Sequence, residues 1–276
     1  MITGVDHVIV LVDDLRTVMQ RYTALGFHVE IGGQHPGWGT ENALITLADG
    51  AYLELLAAHD RMLAAGHRLW KRQNGTLREP GEYGGFMLGS NDLDADVSRL
   101  SPHGLAIDEP SPGSRVRPDG EEIRWRLAFS KREDLPAIIQ DETPRARRVP
   151  TAASGLNTRT RLGRVTVAVR NVEDSAGAYA RILESMVAPI RETPRGREAG
   201  YATAVGRVAL VEPAPGAHPR DQMRGSVPGV SSIELILEGT LDGAPALAAS
   251  LRGQEGARLI DPATTGGAAI FFTISA

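Results

Sequence analysis

Two residues able to do chemistry sit where apolar sequence should exclude them. His7 opens the run Val8-Ile9-Val10-Leu11-Val12, and Glu54 interrupts Tyr52-Leu53-Glu54-Leu55-Leu56; both runs have the pattern of buried strands. An imidazole or a carboxylate buried alone costs several kcal/mol, so each needs a hydrogen bond, an opposite charge or a metal. Imidazole nitrogen with carboxylate oxygen suits a divalent transition metal, and the two side chains could equally bond each other. Between them lies Gly32-Gly33-Gln34-His35-Pro36-Gly37-Trp38-Gly39-Thr40-Glu41-Asn42. Its glycines permit close backbone approach to a ligand, and Pro36 keeps His35 out of helix. Histidine titrates near neutrality, so His35 is the candidate proton carrier, with Glu54 its catalytic partner. Trp38 would cover an apolar part of a substrate, while Thr40 and Asn42 would orient His35 or a substrate oxygen. The competing reading is a surface hairpin with an exposed histidine.

The elements that must position these groups follow from local signals. Asp13-Asp14 caps a helix running to about Leu25, with Leu15, Val18, Met19, Tyr22 and Leu25 at helical spacing and Gly26 as its stop. Strands are expected near 27–31, 42–48 and 51–57, then a helix over about 59–73. A second unit follows, with a strand at 84–90, a helix at 92–101 and strands near 105–109 and 121–130. On that last strand Arg124 and Arg126 share one face and Trp125 takes the other. The arginines either enter the cavity, to bind a carboxylate or compensate Glu54, or lie exposed on an edge. The order then recurs: Arg164-Val165-Thr166-Val167-Ala168-Val169 parallels the His7 run, and Ser232-Ile233-Glu234-Leu235-Ile236-Leu237 echoes residues 84–94. The expectation is an α+β fold of four duplicated βαβββ units, forming two half-open barrel-like sheets with flanking helices. Residues 1–141 form the half with the pocket, 142–157 a Pro/Ser/Gly-bearing linker and 158–276 a second, degenerate half. There Arg164 stands at the His7 position and Leu210 opposite the Glu54 position; Glu234 and His218 remain as structural or exposed groups.

Composition narrows the chemistry. The chain has 276 residues, a formal net charge of -4 and no cysteine, which excludes disulfides, thiolate catalysis and cysteine-ligated zinc. Arg145-Ala146-Arg147-Arg148 is the one basic run and reads as solvated linker rather than a nucleic-acid patch. No phosphate-binding loop, dinucleotide fingerprint or serine-hydrolase elbow is found, so no nucleotide cofactor is expected. No signal peptide or long apolar span points to a membrane, so a cytoplasmic protein acting on a small molecule is expected, with a homodimer admitted.

The order of short motifs resembles the glyoxalase-like branch of the vicinal oxygen chelate superfamily. Asp6-His7-Val8, Leu25-Gly26-Phe27, Gly33-Gln34-His35-Pro36, Gly39-Thr40-Glu41-Asn42 and Gly50-Ala51-Tyr52-Leu53-Glu54-Leu55 carry the resemblance over residues 1–57. Pro118-Asp119-Gly120, Trp125-Arg126-Leu127-Ala128 and Thr143-Pro144-Arg145 extend it more loosely. The resemblance implies paired modules around a divalent metal (zinc, iron, manganese or nickel), with His7 and Glu54 as ligands from one module. The paired module offers Gly85 where a further ligand would stand, which leaves His35 as the candidate third. A metal-assisted lyase, isomerase or dioxygenase acting on a small oxygen-rich molecule is implied. The alternative is a non-catalytic protein that binds or sequesters a small molecule.

Overall fold

The computed structural model of the protein describes residues 1–72, 74–215, 228–253 and 256–275; His218 lies outside them. The chain runs β1 (Ile2–Val12), α1 (Leu15–Leu25), β2 (Glu30–His35), β3 (Thr40–Thr46), β4 (Tyr52–Ala58), α2 (Arg61–Ala64) and β5 (Tyr83–Ser90). It continues through α3 (Leu93–Leu100), β6 (Ser111–Val116), β7 (Glu122–Ala128), β8 (Ala137–Asp141) and α4 (Arg145–Arg148). The remainder is β9 (Thr160–Ala168), α5 (Val172–Ile182), β10 (Arg191–Thr193), β11 (Gly196–Ala202), β12 (Arg207–Pro213), β13 (Gly229–Glu238), α6 (Pro245–Ser250), β14 (Leu251–Arg252), β15 (Arg258–Ile260) and β16 (Ile270–Ser275).

Strands β1 to β8 close into a barrel in the order β1-β4-β3-β2-β6-β7-β8-β5, and the other eight form an open sheet, β10-β11-β12-β9-β13-β16-β15-β14. The expected half-open first sheet is therefore closed, by a bridge between Gln34 of β2 and Val116 of β6. In each run of strand, helix and three strands, the first strand pairs parallel with the last: β1 with β4, β5 with β8, β9 with β12, β13 with β16.

Local chemistry explains the boundaries. Asp14 caps α1 by accepting from the Thr17 amide at 2.6 Å, and Gly26 ends it with a left-handed φ of 103°. Helix α2 stops after one turn instead of running to residue 73. The chain then turns so that Leu69 and Trp70 are buried, which an exposed amphipathic helix would not allow. Residues 105–109 hold only an isolated bridge, Ile107 with Ser130, and the last strand of the second unit is β8, whose Ala137-Ile138-Ile139 is too short for the periodicity to show.

Strand alternation sorts the barrel's side chains into two layers. Val8, Val10, Val12, Leu53 and Leu55 join the large core that continues into the second sheet. Ile9, Leu11, Leu56, Met87, Ile123, Trp125, Leu127 and Ile139 pack in the smaller core inside the barrel. Because Trp125 takes the inside, Arg124 and Arg126 must face out. They are ion-paired to Glu122 and Asp94 at 2.6 Å each, with side chains 62% and 30% exposed, and this overturns their assignment to the cavity.

The basic run after β8 is exposed at Arg145 to Arg147, as expected, but not at Arg148. Arg148 is 2% exposed, and its guanidinium bonds both oxygens of Asp6 at 2.9–3.1 Å, the Tyr52 hydroxyl at 2.6 Å and the Asp141 carboxylate. Arg145 pairs with Asp6 from outside and donates to the Gly50 carbonyl at 2.9 Å. The segment after the barrel thus seals one end of it with charge. Breaking a buried pair by removing one partner costs roughly 3–5 kcal/mol, because the other charge stays behind. Arg148→Met should therefore lower the urea-unfolding free energy by at least about 3 kcal/mol, and a loss below about 1 kcal/mol would show a solvated arginine.

Candidate functional site

The polar centre lies inside the first barrel and is built by four strands. In β1 the pairing with β5 slips between Val5 and His7, so Asp6 is an extra residue in the ladder. This bulge lets neighbouring residues bond: Asp6 Oδ1 lies 2.7 Å from His7 Nδ1. The other ring nitrogen of His7, Nε2, lies 3.4 Å from Glu54 Oε2, and the ring stacks on Tyr52 at 4.6 Å. On the far side, His35 Nε2 lies 3.9 Å from Glu54 Oε1, and His35 Nδ1 lies 2.9 Å from the Thr40 hydroxyl. Asn42 donates from Nδ2 to Glu54 Oε1 at 2.6 Å. One carboxylate is thus addressed by two imidazoles and an amide.

The glycine-rich stretch after β2 is a tight hairpin whose histidine is buried. His35 and Thr40 are paired strand residues, and only Pro36 to Gly39 form the turn. His35 is 3% exposed, inside the barrel rather than over its mouth. Trp38 is the outward part: half-buried, it stacks on His35 at 5.4 Å and meets the tilted ring of His67 at 4.3 Å. Gly37 and Gly39 beside it hold φ of 78° and 66°, which favours glycine at both. Trp38, Leu69 and Met87 separate two spaces. The inner cavity, about 20 Å³, touches His7, His35, Glu54 and Asn42; the outer cleft, about 830 Å³, opens between the barrel and the second sheet.

Protonation follows from burial and partners. Burial opposes charge on Glu54, but the hydrogen bond and charge of His7, with Asn42, outweigh it and pull its pKa down to about 2. Burial also opposes charge on His7, yet bonds to Asp6 and Glu54 win and raise its pKa. Burial dominates at His35 and pushes it down to about 4 despite Glu54. The Glu54 charge favours the His35 proton on Nε2, which leaves Nδ1 to accept from Thr40. Asp6 would resist ionisation by burial, but Arg148 and His7 hold it well below the usual carboxylate range.

A metal fits this arrangement poorly. His7 has a carboxylate beside each ring nitrogen, at 2.7 and 3.4 Å, so it would have to give up a proton on Nε2 to ligate a metal. No group of three or more His, Cys, Asp or Glu side chains among the described residues is arranged to hold a metal ion. Gly85 contributes nothing, and Met87, Leu127 and Ile139 make the opposite wall apolar.

With this geometry in place, likeness to known proteins becomes informative. A family model described as a glyoxalase-like domain matches residues 5–183. The chain belongs to the glyoxalase-like domain family. This places it in the vicinal oxygen chelate superfamily, as its motifs implied. Among solved structures it is similar to a hypothetical protein from Staphylococcus aureus, at 15% identity and a TM-score of 0.66, covering 98% of this chain and 99% of that one. It is also similar to an Mn(II)-bound glyoxalase from Novosphingobium aromaticivorans, at 13% identity and a TM-score of 0.53, covering 99% and 82%. These likenesses concern the fold alone. No curated protein matches.

The structure brings His7, His35, Trp38, Thr40, Asn42 and Glu54 together and excludes Arg124 and Arg126. Four lining or supporting residues escaped the sequence reading: Asp6, Tyr52, Arg115 and Arg148. Asp6 and Tyr52 carried a signal, since each adjoins a site residue within an apolar run. Arg115 and Arg148 had none. In the second sheet Arg164, at the position matching His7, is ion-paired to Glu234 at 3.2 Å. The ladder there sets Ala209, rather than Leu210, beside Thr166 as β4 sets Glu54 beside Ile9, so no carboxylate matches Glu54.

The depressed histidines give a signed pH dependence. His35 and His67, both near 4 when folded and about 6.5 unfolded, contribute stability that is full above about pH 6.5 and is lost as pH falls toward 4. His35→Gln should flatten the decline in unfolding free energy between about pH 6.5 and 4.5, measured by urea titration at each pH. An unchanged slope would mean that His35 is solvated.

Proposed function

We propose that the first barrel is an enzyme site that moves a proton next to a carbonyl or hydroxyl of a small oxygen-rich molecule, as an isomerase or lyase does. The carrying observation is that His7 and His35 address the two oxygens of one buried Glu54 while their surroundings drive the two rings in opposite directions, His7 toward holding a proton and His35 toward losing it. Environments that drive neighbouring pKa values apart separate acid from base roles. Glu54 is the base: it takes a proton from the carbon beside the carbonyl, breaking the C–H bond. The electron pair moves to the carbonyl oxygen as an enolate, which neutral His35 meets with its Nε2–H. The same proton returned to a different carbon or face gives an isomer; loss of a neighbouring leaving group gives elimination. His7, held between Asp6 and Glu54, fixes the carboxylate, and Asn42 keeps Oε1 turned toward His35. Trp38, Thr40 and Asn42 are the substrate-side residues, and the outer cleft receives the rest of the molecule. The four strand-helix-strand runs support duplicated βαβββ units, with 1–141 and 158–276 as halves and only the first carrying a site.

A second reading keeps a divalent metal (zinc, iron, manganese or nickel) on His7 and Glu54. The likeness to a glyoxalase with bound Mn(II) favours it, and it requires His7 to give up a proton. Metal content of protein purified without chelators, compared with His7→Ala, decides between the two.

The proton-transfer reading is tested by solvent exchange. Wild-type protein in D2O should place deuterium on the carbon beside the carbonyl of at least one member of a panel of small 2-oxo and 2-hydroxy acids, followed by proton NMR. Glu54→Gln should cut that rate by more than a thousandfold, and His35→Ala by more than tenfold, about 1.4 kcal/mol or more. Exchange that is equal in all three proteins would remove both residues from the chemistry. Binding of a panel member without exchange in the wild type would favour a sequestering protein.

A further inference from the structure

We infer that the molecule taken up by the first barrel carries a carboxylate, and that Arg115 of β6 binds it; this rests on the proton-transfer reading and names its substrate class. Arg115 is 3% exposed and lines the same inner cavity as His7, His35 and Glu54. A buried guanidinium is costly unless a carboxylate pairs with it. The other buried or nearly buried arginines of the barrel obey that rule: Arg148 has Asp6 and Asp141, Arg72 has Glu82, and Arg78 has Glu133. Arg115 does not. Among the described residues no carboxylate lies within 4.0 Å of it; its Nη2 donates to the Arg148 carbonyl, and its Nε has no partner. The Asn42 Oδ1 acceptor is likewise without a partner in the same cavity.

The charge count agrees. Asp6 and Asp141 are taken up by Arg148 and Arg145, and Glu54 lies against His7, which leaves the Arg115 guanidinium as the one positive group of the cavity with no anion beside it among the described residues. A planar monoanion fits this best, since the guanidinium fork matches a carboxylate bidentately and a phosphoryl dianion would exceed the excess charge. Size sets the entry. About 20 Å³ holds little more than a water, so the carboxylate end must enter from the outer cleft as Trp38 moves aside. Arg115 would then hold the acid end while the adjoining carbonyl oxygen meets His35 and the C–H of the next carbon meets Glu54, as a 2-oxo acid requires.

The test uses the full chain with three probes: pyruvate, its neutral amide pyruvamide, and inorganic phosphate. Thermal shift and tryptophan fluorescence report binding, since Trp38 and Trp125 line the cavity. Pyruvate should raise Tm and quench fluorescence saturably, with pyruvamide and phosphate at least tenfold weaker. Arg115→Met should lose the pyruvate response by at least tenfold while its own Tm stays level or rises, because an unpaired buried charge has gone. Arg115→Lys keeps the charge without the fork and should keep only part of the response. Equal responses to pyruvate and pyruvamide, a stronger response to phosphate, or an Arg115→Met protein that still binds pyruvate would each overturn the assignment. A lower Tm for Arg115→Met with no pyruvate response in the wild type would make Arg115 structural and overturn it too. Glu54→Gln separates the two claims. If it binds pyruvate through Arg115 while the wild type exchanges no proton, the carboxylate site stands and the proton-transfer reading falls. If the wild type exchanges a proton at a rate that Glu54→Gln abolishes and Arg115→Met leaves unchanged, the proton-transfer reading stands and the carboxylate site falls.

Discussion

A carboxylate held inside a closed barrel has to be neutralised where it stands, and Glu54 sets the rest of the site through that demand. At the dielectric of a protein interior an unpaired carboxylate would take up a proton. Glu54 stays ionised because His7 and Asn42 bond its two oxygens and His35 stands behind them. His7 can supply a full charge only if its other nitrogen is also on an anion, which Asp6 provides through the bulge in β1. Asp6 is then a second buried charge, and Arg148 and Arg145 answer it from the segment beyond the barrel. Charge therefore propagates from the cavity to the barrel end, and the segment that follows β8 becomes part of the site.

This chain of compensation explains what could and could not be read from sequence. His7 and Glu54 were legible because a polar residue in an apolar run is a local anomaly, and His35 because of the glycine-rich stretch around it. Helix α1 was legible through Asp14 and Gly26, which act within one turn. Arg148 was not, since its role depends on meeting Asp6 across 142 positions of chain, and no spacing encodes that. Arg115 was hidden for the same reason: its neighbours on β6 alternate without a clear pattern. Arg124 and Arg126 show the limit of strand parity. Period two placed them on a common face, but only the closed barrel decided that Trp125 takes the inside, where removing its indole from water outweighs anything two paired arginines would gain.

The second sheet repeats the strand order with other residues at the positions that match His7 and Glu54. Arg164 and Glu234 form a cross-strand ion pair where the first half places His7, so charge is balanced locally, and Glu234 also accepts from the Thr273 hydroxyl at 2.5 Å. Its contribution to the site is spatial. Val167 and Gly229 to Ser231 form one wall of the outer cleft, and Tyr179 and Ser175 of α5 donate to Asp134 at 2.8 and 2.6 Å, fixing the barrel's rim to that helix. A small enclosed polar centre, a tryptophan partition and a wide outer cleft together suit a molecule with one reactive end and a more variable remainder.

The central claim is that a single ionised Glu54 makes His7 a cation and leaves His35 neutral. Nitrogen-15 NMR of the histidine rings near neutral pH tests it directly, because ring nitrogen shifts distinguish the imidazolium from each neutral tautomer. The expected result is a doubly protonated His7 and a neutral His35 protonated at Nε2 in the wild type. In Glu54→Gln, the proton hold on His7 should weaken while His35 stays neutral. A neutral His7, a cationic His35, or a His7 ring indifferent to Glu54→Gln would contradict it.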